Sequence, residues 1–327
     1  MRESIVFIVD KPSFARALAP HLSTRWPTSR IHAITTLRLG LYEFRYPRGL
    51  NFNAFPYIAE PSWKPRPQAS SPAWSIDDGV ATRIESSSAD LLRDATKIIF
   101  AGDPDPSGAV AYHVLLSQCL APDAVVLARP ALHLMGLDET SIARSLDAIS
   151  STADTWFVEC LNAGLARRFF DFNFNVNALA LLRAPLRQVG VDDDRFTVSK
   201  FSLQLLYGIR ELPAMSEGKL IELMHQWPGT GRHARSELGS PASRAAIVSG
   251  LSGAGLLVAD HKARTKLSER GQAFLSQLHP DCKDADLPAR IRQWESEWPA
   301  SKPSIERYLR TYFGKQKRFS SPTSPIV

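Results

Sequence analysis

Apolar and polar positions in the first half of the chain follow two alternating periods. Residues 5–9 and 97–101 are short apolar runs rich in β-branched residues, and they read as strands buried on both faces. Stretches with apolar positions three or four apart lie between and after them: 13–22 with Ser13 as its cap, 88–96, and 108–119. Residues 124–128 read as another strand. Strands alternating with helices predict a mostly parallel sheet covered on both faces. Residues 46–73 are rich in Pro, Trp and Asn and keep neither period, which predicts a long irregular excursion over that sheet.

In the second half the helical period dominates. A helix is expected over 138–149, starting on Asp138 or Thr140, and a longer one over 155–170, where Trp156, Cys160, Ala163 and Arg167 share helical spacing. A polar interruption at 190–195 precedes an amphipathic stretch at 199–209; Pro213 breaks the pattern, and Ser216 caps a helix over 216–224. Ser240 and Ser243 stand at the start of the next helix, Ile247, Leu251, Leu256 and Leu257 follow its apolar face, and Gly253-Ala254-Gly255 makes a turn. A basic stretch at 261–266 and a helix over 271–278 complete an order of helix, glycine turn, strand, basic wing and helix, the order of a winged helix. The basic, then Ser/Pro-rich end predicts disorder over 314–327. The expected organisation is an α/β domain over 1–150, a mainly helical domain over 151–313, and a disordered tail.

Composition narrows this picture. A chain of 327 residues with 44% apolar content can bury two ordinary cores. Three cysteines stand far apart, without a CxxC pair or a histidine at ligand spacing, which argues against a disulfide framework and a zinc site and points to the cytoplasm. No apolar stretch approaches the length of a membrane span. The net charge of +6 is not spread evenly: residues 1–150 hold fifteen basic and fifteen acidic residues, so the remainder holds 24 and 18. A charge-balanced domain followed by a basic one suits contact with a polyanion, although an ordinary solvated basic surface has the same signature.

Candidate chemistry lies at two strand ends. The first strand runs into Asp10-Lys11-Pro12-Ser13, and the second into Gly102-Asp103-Pro104-Asp105-Pro106-Ser107-Gly108 and a helix. Neighbouring parallel strands bring their carboxyl ends to one edge, where open α/β folds place their sites. Three carboxylates gathered there repel one another unless a hard cation lies between them, and magnesium suits a site of few carboxylates and several waters. An Asp-Pro-Asp turn also occurs as plain turn and capping chemistry.

These segments carry a resemblance. IVFIVDKPSFARALAPHL resembles the opening of type IA topoisomerases of the topoisomerase III kind, and FAGDPDPSGAVAYHVL resembles their toprim motif, Asp-Pro-Asp-Arg-Glu-Gly-Glu followed by a helix with a histidine. The resemblance implies a Rossmann-like toprim fold with a parallel sheet. It sets Asp10 at the family's catalytic glutamate beside Lys11, Asp103 and Asp105 at its metal aspartates, and His113 at the helix histidine. Pro106, Ser107 and Ala109 stand where the family has an arginine and two acidic residues, which weakens the implied magnesium site.

LNAGLARRFFDFNFNVNALALL then resembles the family's Ala-Arg-Arg…Asp helix through Arg167, Arg168 and Asp171. TVSKFSLQLL is similar to its Ser-Val-Gly-Arg-Val-Gln-Thr-Pro segment, with Lys200 for the arginine, and LGSPASRAAIVSGL is similar to its Gly-Thr-x-Ala-Thr-Arg helix start through Gly239, Ser240, Ala242, Ser243 and Arg244. In the family these parts line the path of single-stranded DNA. The arch with the nucleophilic tyrosine would fall just before MSEGKLIELM, where this chain has about ten residues instead of several hundred. The implied function is a degenerate DNA-binding relative without a covalent tyrosine, gripping single-stranded or distorted DNA, with a mobile genetic element as one setting. Two alternatives stay open: a magnesium-dependent toprim nuclease or phosphoryl-transfer enzyme, and a subunit completed by a partner protein that supplies the missing arch and tyrosine.

Overall fold

The computed structural model describes residues 3–68, 70–193, 196–230 and 235–320. The chain divides into two compact units, one of Met1–Arg45 and Ser62–Leu165, the other of Tyr46–Pro61 and Ala166–Val327.

The first unit carries β1 (Ser4–Val9), α1 (Pro12–Arg25), β2 (Arg30–Thr35), β3 (Tyr42–Phe44), β4 (Trp63–Pro65), β5 (Ala73–Asp77), β6 (Val80–Arg83) and α2 (Ser88–Arg93). It continues with β7 (Lys97–Ala101), α3 (Pro106–Cys119), α4 (Pro122–Val125), β8 (Pro130–Ala131), α5 (Glu139–Asp147) and β9 (Ser150–Ser151). The helix α6 (Thr155–Leu181) begins in this unit and ends in the other. Seven strands form one sheet in the order β6-β5-β2-β1-β7-β8-β9. Its centre, β2-β1-β7-β8, is parallel, while β5, β6 and β9 run antiparallel at the edges.

Strand β1 has no polar residue from Ile5 to Val9 because it is covered on both faces. Ile5, Phe7 and Val9 pack with Phe14, Leu18 and Leu22 of α1 and Ile142 and Leu146 of α5, whereas Val6 and Ile8 pack with Tyr112, Leu115 and Leu116 of α3 and with Phe157. Each such side chain contributes roughly 1.5–3 kcal/mol of burial. Val9 lies level with Thr35 of β2 and with Ala101 of β7, so the chain leaves all three strands at one edge.

Two sequence expectations fail in this unit. Residues 124–128 are not a strand: Pro122 opens the short helix α4 with Asp123 in its first turn, and Val126 and Leu127 are exposed. β8 takes the place beside β7 instead. Helix α1 starts one residue earlier than expected, on Pro12, with Lys11 rather than Ser13 at the cap position.

In the second unit follow α7 (Arg183–Gln188), α8 (Lys200–Gly208), α9 (Glu217–His225), β10 (Trp227–Pro228), β11 (Arg235–Ser236) and α10 (Pro241–Gly253). The chain then forms β12 (Leu257–Ala259), β13 (Thr265–Leu267), α11 (Glu269–Ser276), α12 (Leu287–Ser296) and α13 (Lys302–Ser320). Strands β12 and β13 pair antiparallel between α10 and α11. The core is aromatic around α6: Phe170 and Phe174 meet Trp294, Tyr308, Tyr312 and Phe313 of α12 and α13. Together the two units make an α/β protein with a partly parallel sheet followed by a helical part.

The expected excursion over the sheet is corrected by two buried asparagines. Residues 46–61 belong to the helical unit, where Asn173 and Asn177 stand one turn apart on α6. Asn173 Oδ1 accepts from the Ala59 amide at 2.8 Å while its Nδ2 donates to the Ala59 carbonyl at 2.9 Å. Asn177 treats Tyr57 in the same way, at 2.8 and 2.7 Å. The two amides satisfy alternate residues of an extended segment as a neighbouring strand would.

The tail is also corrected over 314–320, which continue α13. Ile305, Leu309, Tyr312, Phe313 and Gln316 share one buried face, and Gln316 Oε1 accepts from the His279 amide at 2.8 Å. Residues 321–327 lie outside the described residues. Among the described residues no helix is long and apolar enough to cross a membrane.

Candidate functional site

In the first unit Asp10 follows β1 and Asp103 follows β7 by one residue. Asp10 is 1% exposed. Burial and the neighbouring Asp103 carboxylate push its pKa above the usual carboxylate value, against the pull of Arg38 and Lys11. Arg38 joins the two acids: its Nε donates to Asp10 Oδ2 at 3.1 Å and its Nη2 to Asp103 Oδ2 at 2.8 Å. Lys11 Nζ lies 3.8 Å from the same Asp10 oxygen with its side chain 46% exposed. Asp10 Oδ1 is buried and has no hydrogen-bond partner among the described residues.

Nothing in the sequence pattern singles out Arg38. It sits in a left-handed turn, Leu37, Arg38 and Leu39, with φ of 51°, 52° and 68°. Such a conformation costs roughly 1–2 kcal/mol per non-glycine residue. Backbone bonds hold it: the Thr36 amide donates to Val9 O at 2.9 Å, the Leu37 amide to Asp10 O at 2.8 Å, and the Gly40 amide to Leu37 O at 2.9 Å. A Cβ on Gly40 would lie 2.8 Å from the Leu37 carbonyl oxygen, so the return requires glycine there.

Asp105 has a different task. Its Oδ1 accepts from the Gly108 amide at 2.7 Å and caps α3. A Cβ on Gly108 would stand 2.1 Å from Asp103 O, which makes glycine obligatory in this tight entry. Ser107 lies in the first turn of α3, and Ala109 is 1% exposed within the hydrophobic core, a place hostile to the carboxylate that the resemblance would put there. His113 is half-buried on the same helix, and burial lowers its pKa.

As arranged, these residues do not fit a divalent ion. Among the described residues no group of three His, Cys, Asp or Glu side chains is gathered closely enough to hold a metal. Asp105 is committed to the helix cap, and the space between Asp10 and Asp103 is bridged by a guanidinium.

In the second unit α6 and α8 bring together Arg168, Asp171 and Lys200. Asp171 pairs with Arg168 Nη2 at 2.8 Å and with Lys200 Nζ, and its side chain is 14% exposed against 11% for Lys200. Burial alone would raise the Asp171 pKa, but Lys200, Arg168 and Arg167 reverse this and hold it below the usual value. Burial lowers that of Lys200, with Asp171 opposing. Arg167 also donates through its Nε to Glu295 Oε1 of α12 at 2.7 Å, and its side chain is 40% exposed. Phe169, Phe170, Phe172 and Phe174 are each at most 1% exposed and belong to packing, leaving the arginines as the polar face.

Ser240 occupies the cap position of α10 without its hydroxyl bonding a backbone amide; it donates to Ser243 Oγ at 3.1 Å, and Ser243 Oγ donates to Ser240 O at 3.0 Å. Both hydroxyls lie at the start of a thirteen-residue helix, where Pro241 has no amide hydrogen and the Ser243 and Arg244 amides donate to Ser240 O at 2.9 and 3.2 Å. Arg244, one residue further, is 4% exposed, and its Nη2 donates to Glu237 Oε2 at 2.8 Å. It braces the chain before α10. The acidic partners Glu237 and Glu295 escaped sequence reasoning because pairs seven and 128 residues apart leave no local pattern.

No family model matches the chain. Comparison with curated proteins supports a relationship to type IA topoisomerases. The chain is similar to DNA topoisomerase 3 of Vibrio cholerae serotype O1, with 28% identity over 189 residues. That alignment covers 53% of this chain and 27% of the relative, so the chain spans about a quarter of the protein it matches.

Proposed function

We propose that this chain is a DNA-binding relative of the type IA topoisomerases that holds single-stranded or distorted DNA without forming a covalent tyrosyl intermediate. The observation that carries this reading is the similarity to DNA topoisomerase 3, at 28% identity over 189 residues. Residues 151–327 also hold 24 basic against 18 acidic residues, which supports contact with a polyanion. In this reading residues 1–150 correspond to a toprim-like domain, and 151–313 to the strand-binding part with a winged helix. The order α10, β12, β13 and α11 supports the winged helix.

The contacts divide by exposure. Arg167, Ser240 and Ser243 meet phosphates directly, the arginine by charge and the two serines through their hydroxyls. Arg168 takes part at the edge of its ion pair. Lys200 and Arg244 are enclosed in pairs with Asp171 and Glu237, and they hold the surface in shape. Tyr42, Tyr112, Tyr207, Tyr308 and Tyr312 all have their pKa raised, with burial as the leading cause, which suits packing rather than a nucleophile.

Fluorescence anisotropy with a labelled single strand tests this. The wild type should bind with an affinity that falls steeply as salt rises, and Arg167→Ala combined with Ser243→Ala should weaken binding at least fivefold on every sequence at a temperature where circular dichroism shows both proteins folded. Affinity independent of salt, or untouched by the double change, overturns the reading.

A further inference from the structure

The acidic strand ends of the first unit carry an inference that goes beyond DNA binding and is independent of it. Two carboxylates, Asp10 and Asp103, leave neighbouring parallel strands toward the same edge. Asp10 is 1% exposed, and an ionised carboxylate that deep in a protein requires a compensating charge. The geometry points to Arg38 as a built-in counter-cation that stands in the place of a divalent ion, so that the charge of the acidic pair is offset without metal and removal of the guanidinium opens a divalent-cation site.

Three observations support this assignment. First, the guanidinium bonds both acids at once, through Nε at 3.1 Å and Nη2 at 2.8 Å, and so spans the gap that a shared cation would fill. Second, the backbone is strained to bring it there. Leu37, Arg38 and Leu39 are all left-handed, with φ between 51° and 68°, and the turn is pinned to the end of β1 by the bond from the Leu37 amide to the carbonyl of Asp10 itself. Strain of this kind persists where the surrounding structure over-determines it. Third, one oxygen remains over. Asp10 Oδ1 is buried without a hydrogen-bond partner among the described residues, because Arg38 Nε serves only Oδ2.

Without the guanidinium, Asp10 would keep among the described residues only Lys11 Nζ, 3.8 Å from Oδ2 with its side chain 46% exposed, and both Asp10 and Asp103 would lose the hydrogen bonds Arg38 now gives them. Few carboxylates completed by water form the kind of donor set that magnesium and manganese(II) accept. A divalent ion and the guanidinium would compete for the same two oxygens, and the arginine is tethered while the ion is not.

The test is a manganese(II) titration of the full chain, followed by electron paramagnetic resonance of the free ion. Arg38→Gly is the main variant, since glycine adopts a positive φ without strain and keeps the turn while removing the charge. The wild type should show no saturable site below the millimolar range and no change in melting midpoint with the ion. Arg38→Gly should bind at least tenfold more tightly and melt higher when the ion is present. Adding Asp103→Asn to Arg38→Gly should return binding to the wild-type level.

If the wild type binds manganese(II) as tightly as Arg38→Gly, or if Arg38→Gly gains nothing, the proposal is overturned. Should Arg38→Gly fail to fold by circular dichroism, Arg38→Asn, another residue tolerant of positive φ, replaces it under the same criteria. The wild-type titration stands without any variant, and tight binding there overturns the proposal by itself. Because the readout is metal and not nucleic acid, failure here leaves the DNA-binding reading intact, and failure of DNA binding leaves this one intact.

Discussion

Each unit of this protein joins acids to bases, yet the two clusters are built on opposite terms. In the sheet unit a buried aspartate and a partly exposed one share an arginine whose side chain is 50% exposed and whose backbone is strained. In the helical unit Asp171 and Lys200 are both nearly enclosed, on regular helices, with Arg168 at their edge. The first arrangement leaves one carboxylate oxygen, Asp10 Oδ1, unsatisfied and lifts the pKa of that acid; the second lowers the pKa of its acid. A strained, incompletely satisfied cluster is where a protein keeps a site, whereas a closed ion pair on regular backbone maintains shape.

The contrast is sharpest in the response to losing a cation. Lys200→Ala should destabilise the protein, by up to about 3–5 kcal/mol, because it leaves the enclosed Asp171 with Arg168 as a remaining ion-pair partner. That corresponds to a melting midpoint lower by on the order of 10 °C in a domain of this size. A midpoint within a degree or two of the wild type would show that the pair is not buried in solution. Replacing both partners, with Asp171→Leu and Lys200→Met, should cost much less than Lys200→Ala alone.

Next in size is Asn173→Ala, which leaves both polar backbone groups of Ala59 without their partner. The expected loss is about 1–3 kcal/mol in chemical denaturation, accompanied by faster hydrogen exchange at the Ala59 amide. Unchanged exchange there would mean that residues 46–61 are held by other contacts.

Acid should divide the clusters by sign. Asp171 is depressed, so its stabilisation is present above the unfolded value near 4 and is lost as pH falls through the folded value. Asp10 is raised, so the folded state binds its proton more readily, and acidification toward that value favours folding. Relative to the wild type, Asp171→Asn should therefore be equally harmful from pH 7 down to about 4 and become less harmful only below that, whereas Asp10→Asn should become less favourable as pH falls from neutrality. Parallel pH profiles for the two variants would remove the distinction.

The smallest effect is expected at Leu37→Gly, which relieves one left-handed residue whose side chain is already 39% exposed. It should be neutral or stabilising by up to about 1 kcal/mol, as read from the denaturation midpoint. A clear destabilisation would indicate that Leu37 packs more closely in solution than its exposure implies.

Much of this architecture was legible beforehand. Strands β1 and β7, the cap on Asp138, the long helix with Arg167, and the helix starts at Ser199 and Ser216 follow from local periodicity and capping chemistry. The apolar run at 124–128 misled, since four or five apolar residues suit a strand and a turn of helix equally well, and Pro122 decides for the helix. The end of the chain misled in another way: its basic composition hid an amphipathic face that only becomes useful beside a core to cover.

Although β2, β5, β6 and β8 went unseen, the sequence by itself determined the strands that become β1 and β7, the placing of Asp10 and Asp103 at their ends, most of the helices, and the excess of positive charge in the later part. These depend on neighbours along the chain, and periodicity, capping and composition are properties of neighbours. Only the tertiary structure decided which charges meet: Arg38 with the acidic pair, Lys200 with Asp171, Arg244 with Glu237, and Asn173 and Asn177 with the segment at 57–59. Burial then set what those meetings are worth, because the strength of a charge or an amide depends on how much water the fold removes from around it.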